Sequence, residues 1–495
     1  MSESIEKIKQ MKTFLKLTLF LFLAISFFSA KPKREYNNEI LRPQFHFSPE
    51  KNWMNDPNGL VYFEGEYHLF YQHNPFDLGW GYMHWGHAIS KDLVHWEYLP
   101  IALAPDNNSK EKEYATAWSG SGLIDHNNIC GFQKDTVKTM LLFYTSYQCG
   151  QRLAYSTDKG RTWNKYEKNP VIPFDETDDA RDPKIFRHQA SGKYVMAIYR
   201  KPNGDDSQRG ISFYTSSNLF DWELKSHIAG FYECPDLVEL PVNRRQDEKK
   251  WVLFDGDGSY VVGSFDGEKF IPESPKQKSD FGKNYYATQT WNNIPEKDGR
   301  TIQIAWMKDG EFPGMPFNGQ MGFPCELSLE KSKNGIFLVR NPVKEIENLH
   351  LKQESWIQKN IIPGLNKNLI SKIKGDCLHI KGIFDVKTSD NFGFLLRNGK
   401  TNQGAEISFN TKNNILNCIG RQVVVEPIGG KLQLEILLDR SSVEVFANGG
   451  KVVLSSCFTP EQDAEDVTLF TSGGELFIEN LDIFSLKSIW EAEEE

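Results

Sequence analysis

The sequence contains little cysteine and no long apolar segment. Seven cysteines occur in 495 residues. Because their number is odd and no close Cys-x-x-Cys pair exists, the sequence predicts neither a disulfide framework nor a zinc site. The longest apolar run covers residues 17–28. It is well short of the roughly 20 residues that a helix needs to cross a bilayer, so we expect no stable membrane insertion.

Basic side chains are outnumbered by acidic ones. The chain has 57 Lys and Arg against 66 Asp and Glu, which gives a formal net charge of −9. An acidic chain of this kind disfavours nucleic acid and anionic membrane surfaces as partners. Composition leaves the oligomeric state open.

The apolar run has the flanks of a secretory signal peptide. Four lysines precede it, and the small residues Ser29 and Ala30 follow it. We therefore predict a signal peptide over residues 1–30 and export to the periplasm or the extracellular space. Met1 and Met11 both fit as its start, and the cleavage site is open. Without these residues the chain has 53 basic and 64 acidic side chains, a formal net charge of −11.

Short turns that end in an aromatic residue recur along the first two thirds of the chain. The aromatic residues are Trp96, Trp163, Trp222 and Phe270, at intervals of 67, 59 and 48 residues. Between the turns lie β-branched and aromatic runs bounded by Gly, Pro, Asn or Asp, which is typical of strands. Four such strands in about 50 to 65 residues is the size of one propeller blade with long loops.

With a last unit over residues 285–339, these repeats predict a five-bladed β-propeller over residues 40–342. The alternative is a set of unrelated β-hairpins, because Ser and Asp favour turns in any fold.

Beyond residue 342 the pattern changes to strict alternation. Six segments between residues 376 and 455 alternate apolar and polar side chains, which predicts strands with one buried and one solvated face. They favour a C-terminal β-sandwich over residues 357–490, preceded by a helical linker over residues 343–356. The predicted fold class is therefore all-β.

Three acidic residues stand in motifs that restrict their backbone. Asp56 lies in the string WMNDPNG and Asp182 in RDP, so each precedes a proline, which disfavours the right-handed helical region. Glu233 lies in YECPD, a setting that suits a proton donor if it is buried. A catalytic group needs such restriction, although each motif alone is typical of an ordinary turn.

The three strings together resemble glycoside hydrolase family 32, the β-fructofuranosidases, inulinases and levanases. Asp182 follows Asp56 by 126 residues, and Glu233 follows Asp182 by 51. The resemblance covers nearly the whole chain after the apolar run. It extends to HWGH (84–87), SKDLVHW (90–96), WSGS (118–121), FDG (265–267), YATQ (286–289), ELSL (326–329) and DRSSVEVF (439–446).

The resemblance implies a five-bladed propeller joined to a β-sandwich, and hydrolysis with retention. It implies that Asp56 attacks the anomeric C2 carbon and that Glu233 protonates the leaving oxygen and later activates water. Asp182 would bind fructose hydroxyls and stabilise the transition state. Retaining chemistry requires the nucleophile and the acid/base to stand about 5 to 5.5 Å apart.

Eight further positions that match the family are expected to bind the sugar. Polar side chains would hydrogen-bond hydroxyls and aromatic faces would form the walls of a pocket. Many family members carry Phe where this chain has Trp118, and the alternative for any tryptophan is a place in the core. The eight residues are Asn55, Gln72, Trp80, Trp118, Ser119, Arg181, Tyr286 and Trp306.

His84 and His87 have the H-x-x-H spacing of a metal-ligand pair. On a strand, however, positions three apart face opposite ways, so we expect no joint coordination. The hydrolysis that the resemblance implies requires neither a metal nor a cofactor.

Two alternatives remain open to sequence reasoning. Residues 156–163, STDKGRTW, match the aspartate-box turn of sialidase propellers, which use a tyrosine nucleophile and an arginine cluster. A non-catalytic glycan-binding propeller is the rival from another class, although all three carboxylates are present.

Residues 312–321 and 323–327 are similar to bacterial exo-acting fructan hydrolases. We therefore expect exo release of fructose, with levan or inulin favoured over sucrose and endo cutting as the alternative. The sequence leaves the choice between β2,6 and β2,1 linkages open.

Overall fold

The computed structural model describes residues 37–106, 116–363, 369–400 and 404–490. The predicted signal peptide lies outside this part of the chain. Nearly all regular structure in it is β-strand, and none of its helices has the length and apolar character needed to cross a membrane. The helices are three short 3-10 turns, Pro202–Gly204, Asp206–Gln208 and Lys344–Leu349.

The strands before residue 343 form five blades, each built on four antiparallel strands, and a parallel pairing of Val242 with Leu329 joins the sheets of blades 4 and 5. Blade 1 contains β1 (Asn52–Phe63), β2 (Glu66–Asn74), β3 (His84–Ser90) and β4 (Trp96–Leu103). Blade 2 contains β5 (Ala117–Asp125), β6 (Thr139–Ser146), β7 (Gly150–Ser156) and β8 (Asn164–Lys165). Blade 3 contains β9 (Arg181–Arg187), β10 (Tyr194–Arg200), β11 (Gly210–Ser216) and β12 (Glu223–Ala229).

Two extra short strands occur in this part of the chain, one in blade 4 and one that joins the sheet of blade 1. Blade 4 contains β13 (Asp236–Val242), β14 (Arg245–Phe254), β15 (Ser259–Phe265) and β16 (Phe270–Pro272), and β17 (Gln277–Lys278) pairs with β15. Blade 5 contains β18 (Tyr286–Thr290), β19 (Thr301–Trp306), β21 (Cys325–Ser332) and β22 (Gly335–Pro342), while β20 (Phe317–Asn318) pairs with β1 of blade 1.

The remaining strands form two sheets that enclose one apolar core. The six-stranded sheet has the order β23 (His350–Ile361), β33 (Leu476–Leu486), β24 (Leu378–Asp385), β29 (Lys431–Asp439), β30 (Ser442–Ala447) and β31 (Val452–Cys457). The five-stranded sheet has the order β28 (Arg421–Val424), β27 (Ile415–Cys418), β26 (Ala405–Asn410), β25 (Asn391–Asn398) and β32 (Asp466–Ser472). The predicted all-β fold, a five-bladed propeller followed by a sandwich, is confirmed.

The turns that recur in the sequence join the third and fourth strands of a blade. In each of the first three blades a serine hydroxyl at the end of the third strand donates to the side chain two residues later, which closes the turn. Because the same local contact recurs at the same place in the blade, the repeat marks one architecture and not unrelated hairpins. The pairs are Ser90 with Asp92 at 3.1 Å, Ser156 with Asp158 at 2.7 Å and Ser216 with Asn218 at 3.1 Å.

The segment after the propeller differs from the helical linker expected over residues 343–356. Only Lys344–Leu349 is helical, as a 3-10 turn, and β23 begins at His350. β23 pairs with β33 along its whole length, from His350 with Leu486 to Ile361 with Leu476. The conformation of β23 therefore depends on hydrogen bonds to a strand far away in the sequence. Local sequence patterns do not predict such bonds.

The first strands of the blades surround the propeller axis and are tied together there by buried polar side chains. Lys184 of β9 forms an ion pair with Asp236 of β13 at 3.0 Å, and both side chains are at most 1% exposed. The same ammonium donates to Thr290 O of β18 at 2.9 Å, while Thr290 N donates to Asp236 at 2.7 Å. The Gln289 amide bridges to blades 1 and 2 through Pro57 O and Gly120 O.

The segment that precedes β1 is held against the sandwich by a buried histidine. His46 Nδ1 lies 2.8 Å from Asp439 Oδ2 and its Nε2 lies 2.8 Å from Glu444 Oε2. Burial alone would lower the pKa of His46, but the two carboxylates raise it to about 9. The string DRSSVEVF thus supplies two charges that join the two parts of the molecule.

We expect Lys184→Met to lower the free energy of unfolding by about 3 to 5 kcal/mol, because it leaves Asp236 as an unpaired buried charge. Chemical denaturation of the two proteins measures the difference. Lys331→Met is the matched control, since its ammonium is exposed and lies 3.7 Å from Glu248. The control should change stability by less than about 0.5 kcal/mol. Equal effects in both variants would contradict the proposed importance of the axial pair.

We expect the stabilisation by His46 to depend on pH. Because the pKa of His46 in the folded protein lies above the usual histidine value of 6.5, the contribution is fully present below pH 6.5 and is lost as pH rises through about 9. His46→Gln should therefore cost about 3 kcal/mol near pH 6, and the loss should shrink by about pH 10. Thermal or chemical unfolding of both proteins across this range measures it. A constant difference between them would refute the expectation.

Candidate active site

The catalytic candidates lie near the amino-terminal ends of the strands around the axis. Asp56 belongs to β1, Ser119 to β5, Asp182 to β9 and Tyr286 to β18, while Glu233 lies in the loop just before β13. Since each of these strands is the first of its blade, residues more than 200 positions apart in the chain meet at one end of the propeller.

One pocket of about 430 Å³ brings together all eleven residues that the sequence predicts for catalysis or sugar binding. Two more residues, Asp179 and Lys308, complete its lining. Sequence reasoning passed over both, although each stands two positions from a predicted residue. The eleven are Asn55, Asp56, Gln72, Trp80, Trp118, Ser119, Arg181, Asp182, Glu233, Tyr286 and Trp306.

Hydrogen bonds from a serine and an asparagine hold Asp56 in the pocket. Ser119 Oγ donates to its Oδ2 at 2.7 Å and Asn55 Nδ2 donates to its Oδ1 at 3.0 Å. The indole of Trp53 fixes Asn55 in turn, with Nε1 2.8 Å from Asn55 Oδ1. Desolvation raises the pKa of Asp56 and the negative charge of Glu233 adds to this, while the two hydrogen bonds oppose it.

Asp182 is buried on a strained backbone. Its φ of 63° places it in the left-handed region, which side chains other than glycine seldom adopt. The tertiary contacts that keep it there include its own N–H, which donates to Thr145 Oγ1 at 3.0 Å, and Cys234 N, which donates to its Oδ2 at 3.2 Å. Burial raises the pKa of Asp182 to about 7, against the opposing charge of Arg181 and with the support of nearby carboxylates.

Glu233 is half-buried rather than fully buried, and two side chains grip its carboxyl group. Arg181 Nη2 lies 2.8 Å from Oε1 and the Tyr286 hydroxyl donates to Oε2 at 2.5 Å. Arg181 also pairs with Asp179, and its guanidinium lies 4.3 Å from the centre of the Tyr199 ring. The backbone of Glu233 is left-handed with φ 52°, and such strain is typical of functional positions.

The thiol of Cys234 connects two of the carboxylates. Its Sγ lies 3.5 Å from Asp56 Oδ2 and 3.6 Å from Asp182 Oδ2. Burial and the surrounding negative charges hold the pKa of the thiol well above its usual value, so it stays protonated and donates. Sequence reasoning did not identify this residue, although it stands next to Glu233 in the same motif.

Aromatic side chains form the walls of the pocket. The Tyr286 and Trp306 rings meet edge to face at 6.5 Å, and the Lys308 ammonium lies 4.1 Å from the centre of the Tyr286 ring. Trp80 is exposed, at the rim. The Gln72 amide faces the pocket but also donates to the backbone oxygen of residue 117 at 2.9 Å, so one of its donors already holds β5.

His84 and His87 have separate partners. His84 Nδ1 lies 2.5 Å from Tyr82 O, whereas the buried His87 has its Nε2 3.0 Å from His68 Nδ1. Among the residues that the structure describes, no group of three or more His, Cys, Asp or Glu side chains could hold a metal ion.

Two curated relatives resemble this chain over most of its length. A levanase of Bacillus subtilis (strain 168) is 38% identical, and the match covers 95% of this chain and 74% of the relative. An extracellular exo-inulinase of Aspergillus ficuum is 31% identical, over 91% of this chain and 95% of the relative.

Structure and family comparisons agree with these relatives. The crystal structure of exo-inulinase from Aspergillus awamori superimposes with a TM-score of 0.83 at 28% identity, covering 92% of this chain and all of the other. The model of the glycosyl hydrolases family 32 N-terminal domain matches residues 46–342, and the C-terminal model of that family matches residues 345–485. The chain, a glycoside hydrolase, therefore belongs to glycosyl hydrolase family 32.

Proposed function

We propose that the protein is an exo-acting, retaining glycoside hydrolase that releases terminal β-D-fructofuranosyl units from fructans such as levan or inulin, and from sucrose. One observation carries this proposal: Asp56 of blade 1, Asp182 of blade 3 and Glu233 of the loop before blade 4 line a single pocket. Relatives named as a levanase and an exo-inulinase support the substrate class.

Asp56 is the proposed nucleophile. Its carboxylate attacks the anomeric C2 carbon of the fructosyl unit and forms a covalent glycosyl-enzyme intermediate. The hydrogen bonds from Ser119 and Asn55 hold the carboxylate in one orientation, which reduces the entropy lost on reaching the transition state.

Glu233 is the proposed acid/base. It donates a proton to the leaving oxygen in the first step and removes one from the attacking water in the second. Arg181 and Tyr286 orient its two oxygens, and its half-buried position leaves room for a leaving group and later for water.

Asp182 is the proposed hydroxyl-binding carboxylate. Burial raises the pKa of Asp182 to about 7, and its carboxyl oxygens can accept hydrogen bonds from sugar hydroxyls. We assign the remaining pocket residues to sugar hydroxyls and to the faces of the ring, with Trp80, Trp118 and Trp306 as walls.

We also propose that the protein is exported. The support is the apolar run with its lysine-rich flank and small residues, together with relatives that are named as extracellular enzymes.

We expect purified protein to release free fructose as the first product from levan or inulin. Chromatography of the products over time measures this, and comparison of the two polymers and sucrose gives the linkage preference. Asp56→Asn should lower the rate at least about a thousandfold, because no covalent intermediate forms. Short oligosaccharides without fructose would indicate an endo enzyme. No release from wild type or variant would favour a glycan-binding protein.

We expect Glu233→Gln to abolish hydrolysis of fructan but to keep some reaction with an activated aryl fructoside, whose leaving group needs little protonation. A burst of released aryl alcohol followed by slow turnover is the measurable sign. The matched control is Glu239→Gln, an exposed glutamate of β13 that lies outside the pocket. Full fructan hydrolysis by Glu233→Gln would contradict the acid/base assignment.

A further inference from the structure

One ammonium group of the catalytic pocket rests on an aromatic ring instead of a carboxylate. Lys308 lies just beyond the end of β19 and lines the pocket together with Tyr286 and Glu233. Its Nζ lies 4.1 Å from the centre of the Tyr286 ring, and it forms no ion pair with a carboxylate that the structure describes. The ring, and not a salt bridge, is therefore the contact that places this charge.

The backbone of Lys308 is anchored to the sandwich. The fully buried Asn284 donates from Nδ2 to Lys308 O at 2.5 Å, and its Oδ1 accepts from Cys457 N of β31 at 2.7 Å. The next residue, Asp309, has a left-handed backbone with φ 61°, which turns the chain away from the pocket. Because its backbone is fixed at both of these points, the side chain loses less entropy on reaching the ring than a lysine on a free loop would.

The Tyr286 ring connects this ammonium to the proposed acid/base. Its hydroxyl donates to Glu233 Oε2 at 2.5 Å, and Trp306 packs against the ring edge to face at 6.5 Å. Burial and the neighbouring negative charges raise the pKa of Tyr286, so its hydroxyl keeps its proton and donates. A cation over the face of the ring is attracted by the π electrons and polarises the hydroxyl, which strengthens the hydrogen bond to the carboxylate.

Arg181 and Lys308 are the two cations of the pocket lining. Arg181 contacts Glu233 directly but also pairs with Asp179, so its charge is shared. Opposite charges favour the ionised form of a carboxyl group and like charges oppose it, so loss of Lys308 would make the field at Glu233 more negative. The other titratable groups that act on Glu233 are Asp56 of β1, Asp182 of β9, Tyr286 of β18, and Tyr232 and Cys234 of its own loop.

We propose that Lys308 is a positioning residue of the reaction, whose ammonium holds the Tyr286 ring against Glu233 and adds positive charge beside the acid/base. This role rests on the proposed function. Lys308 acts through Tyr286, so it matters most in the step in which Glu233 protonates the leaving oxygen. Substrates whose leaving group needs that proton depend on Lys308, and substrates with an activated leaving group do not.

The first test compares three substrates in the variant Lys308→Met. We expect kcat/KM to fall about three- to tenfold for a fructan trisaccharide and for methyl β-D-fructofuranoside, the effect of one partly buried cation–π contact. For an activated aryl fructoside the loss should stay below about twofold, because that leaving group needs little protonation. Lys308→Arg, which keeps the charge, should restore most of the rate.

The second test is the pH profile of kcat/KM for the methyl fructoside. At its high-pH limb the acid/base loses its proton. In Lys308→Met this limb should lie about half a pH unit to one unit higher than in wild type, because a charge that favours the ionised carboxyl is gone. In Lys308→Arg it should stay near the wild-type position. Lys451→Met is the matched control, since its ammonium lies 5.2 Å from the centre of the Phe337 ring, outside the pocket, and it should change neither rate nor profile.

Other outcomes overturn the proposal. A loss on the trisaccharide alone would mean that the ammonium contacts the leaving sugar and does not act on the acid/base. An equal loss on all three substrates with an unmoved high-pH limb would mean that Lys308 has only a structural role. Unchanged rates on all three would mean that the contact with Tyr286 has no part in the reaction.

Failure of the proposed function has a different signature. If wild type releases fructose from none of the three substrates, the function is wrong, and a double-mutant cycle in chemical denaturation still tests the contact. Lys308→Met and Tyr286→Leu should then show a coupling of about two- to fivefold in the unfolding equilibrium constant. Additive effects of the two substitutions would refute the contact itself.

Discussion

The structure depends on the closure of five blades around one axis, and the buried ion pair of Lys184 and Asp236 is its main polar tie. Each of these charges stands in the same short motif as a catalytic candidate, Asp182 in RDPK and Glu233 in ECPD. One side chain of each motif faces the pocket while the other is fixed at the axis. The motif therefore couples the position of a carboxylate to the packing of the blades, and a shift of one strand would misplace the acid that it carries.

The same constraint sets the electrostatics of the site. Three carboxyl groups share one small pocket, and burial with mutual repulsion raises the pKa of Asp56 and of Asp182. Arg181 is the main positive charge that faces them, and it contacts Glu233 directly. Hydrogen bonds from Ser119 and from backbone and thiol groups of the ECPD motif offset part of the free-energy cost of burying these carboxylates.

Charged side chains as well as apolar contacts hold the sandwich against the propeller. A continuous core runs from Phe47 and Phe323 on the propeller side to Phe446 and Leu486 on the sandwich side. At its edge the imidazole of His46 lies between two carboxylates of the DRSSVEVF motif. A histidine that stays protonated in the interior anchors the segment leading into β1, the strand that carries Asp56.

Sequence alone determined the local features of this protein: where strands and turns occur, that five similar units precede a sandwich, and which carboxylates stand on restricted backbone. These follow from side-chain periodicity and turn chemistry, which act over a few residues. Only the tertiary structure decided that β23 is a strand, that Glu233 is half-buried, and that Cys234, Asp179 and Lys308 belong to the site. Each of those outcomes depends on a partner distant in the sequence, because strand pairing and the convergence of the blades create neighbours that no local pattern encodes.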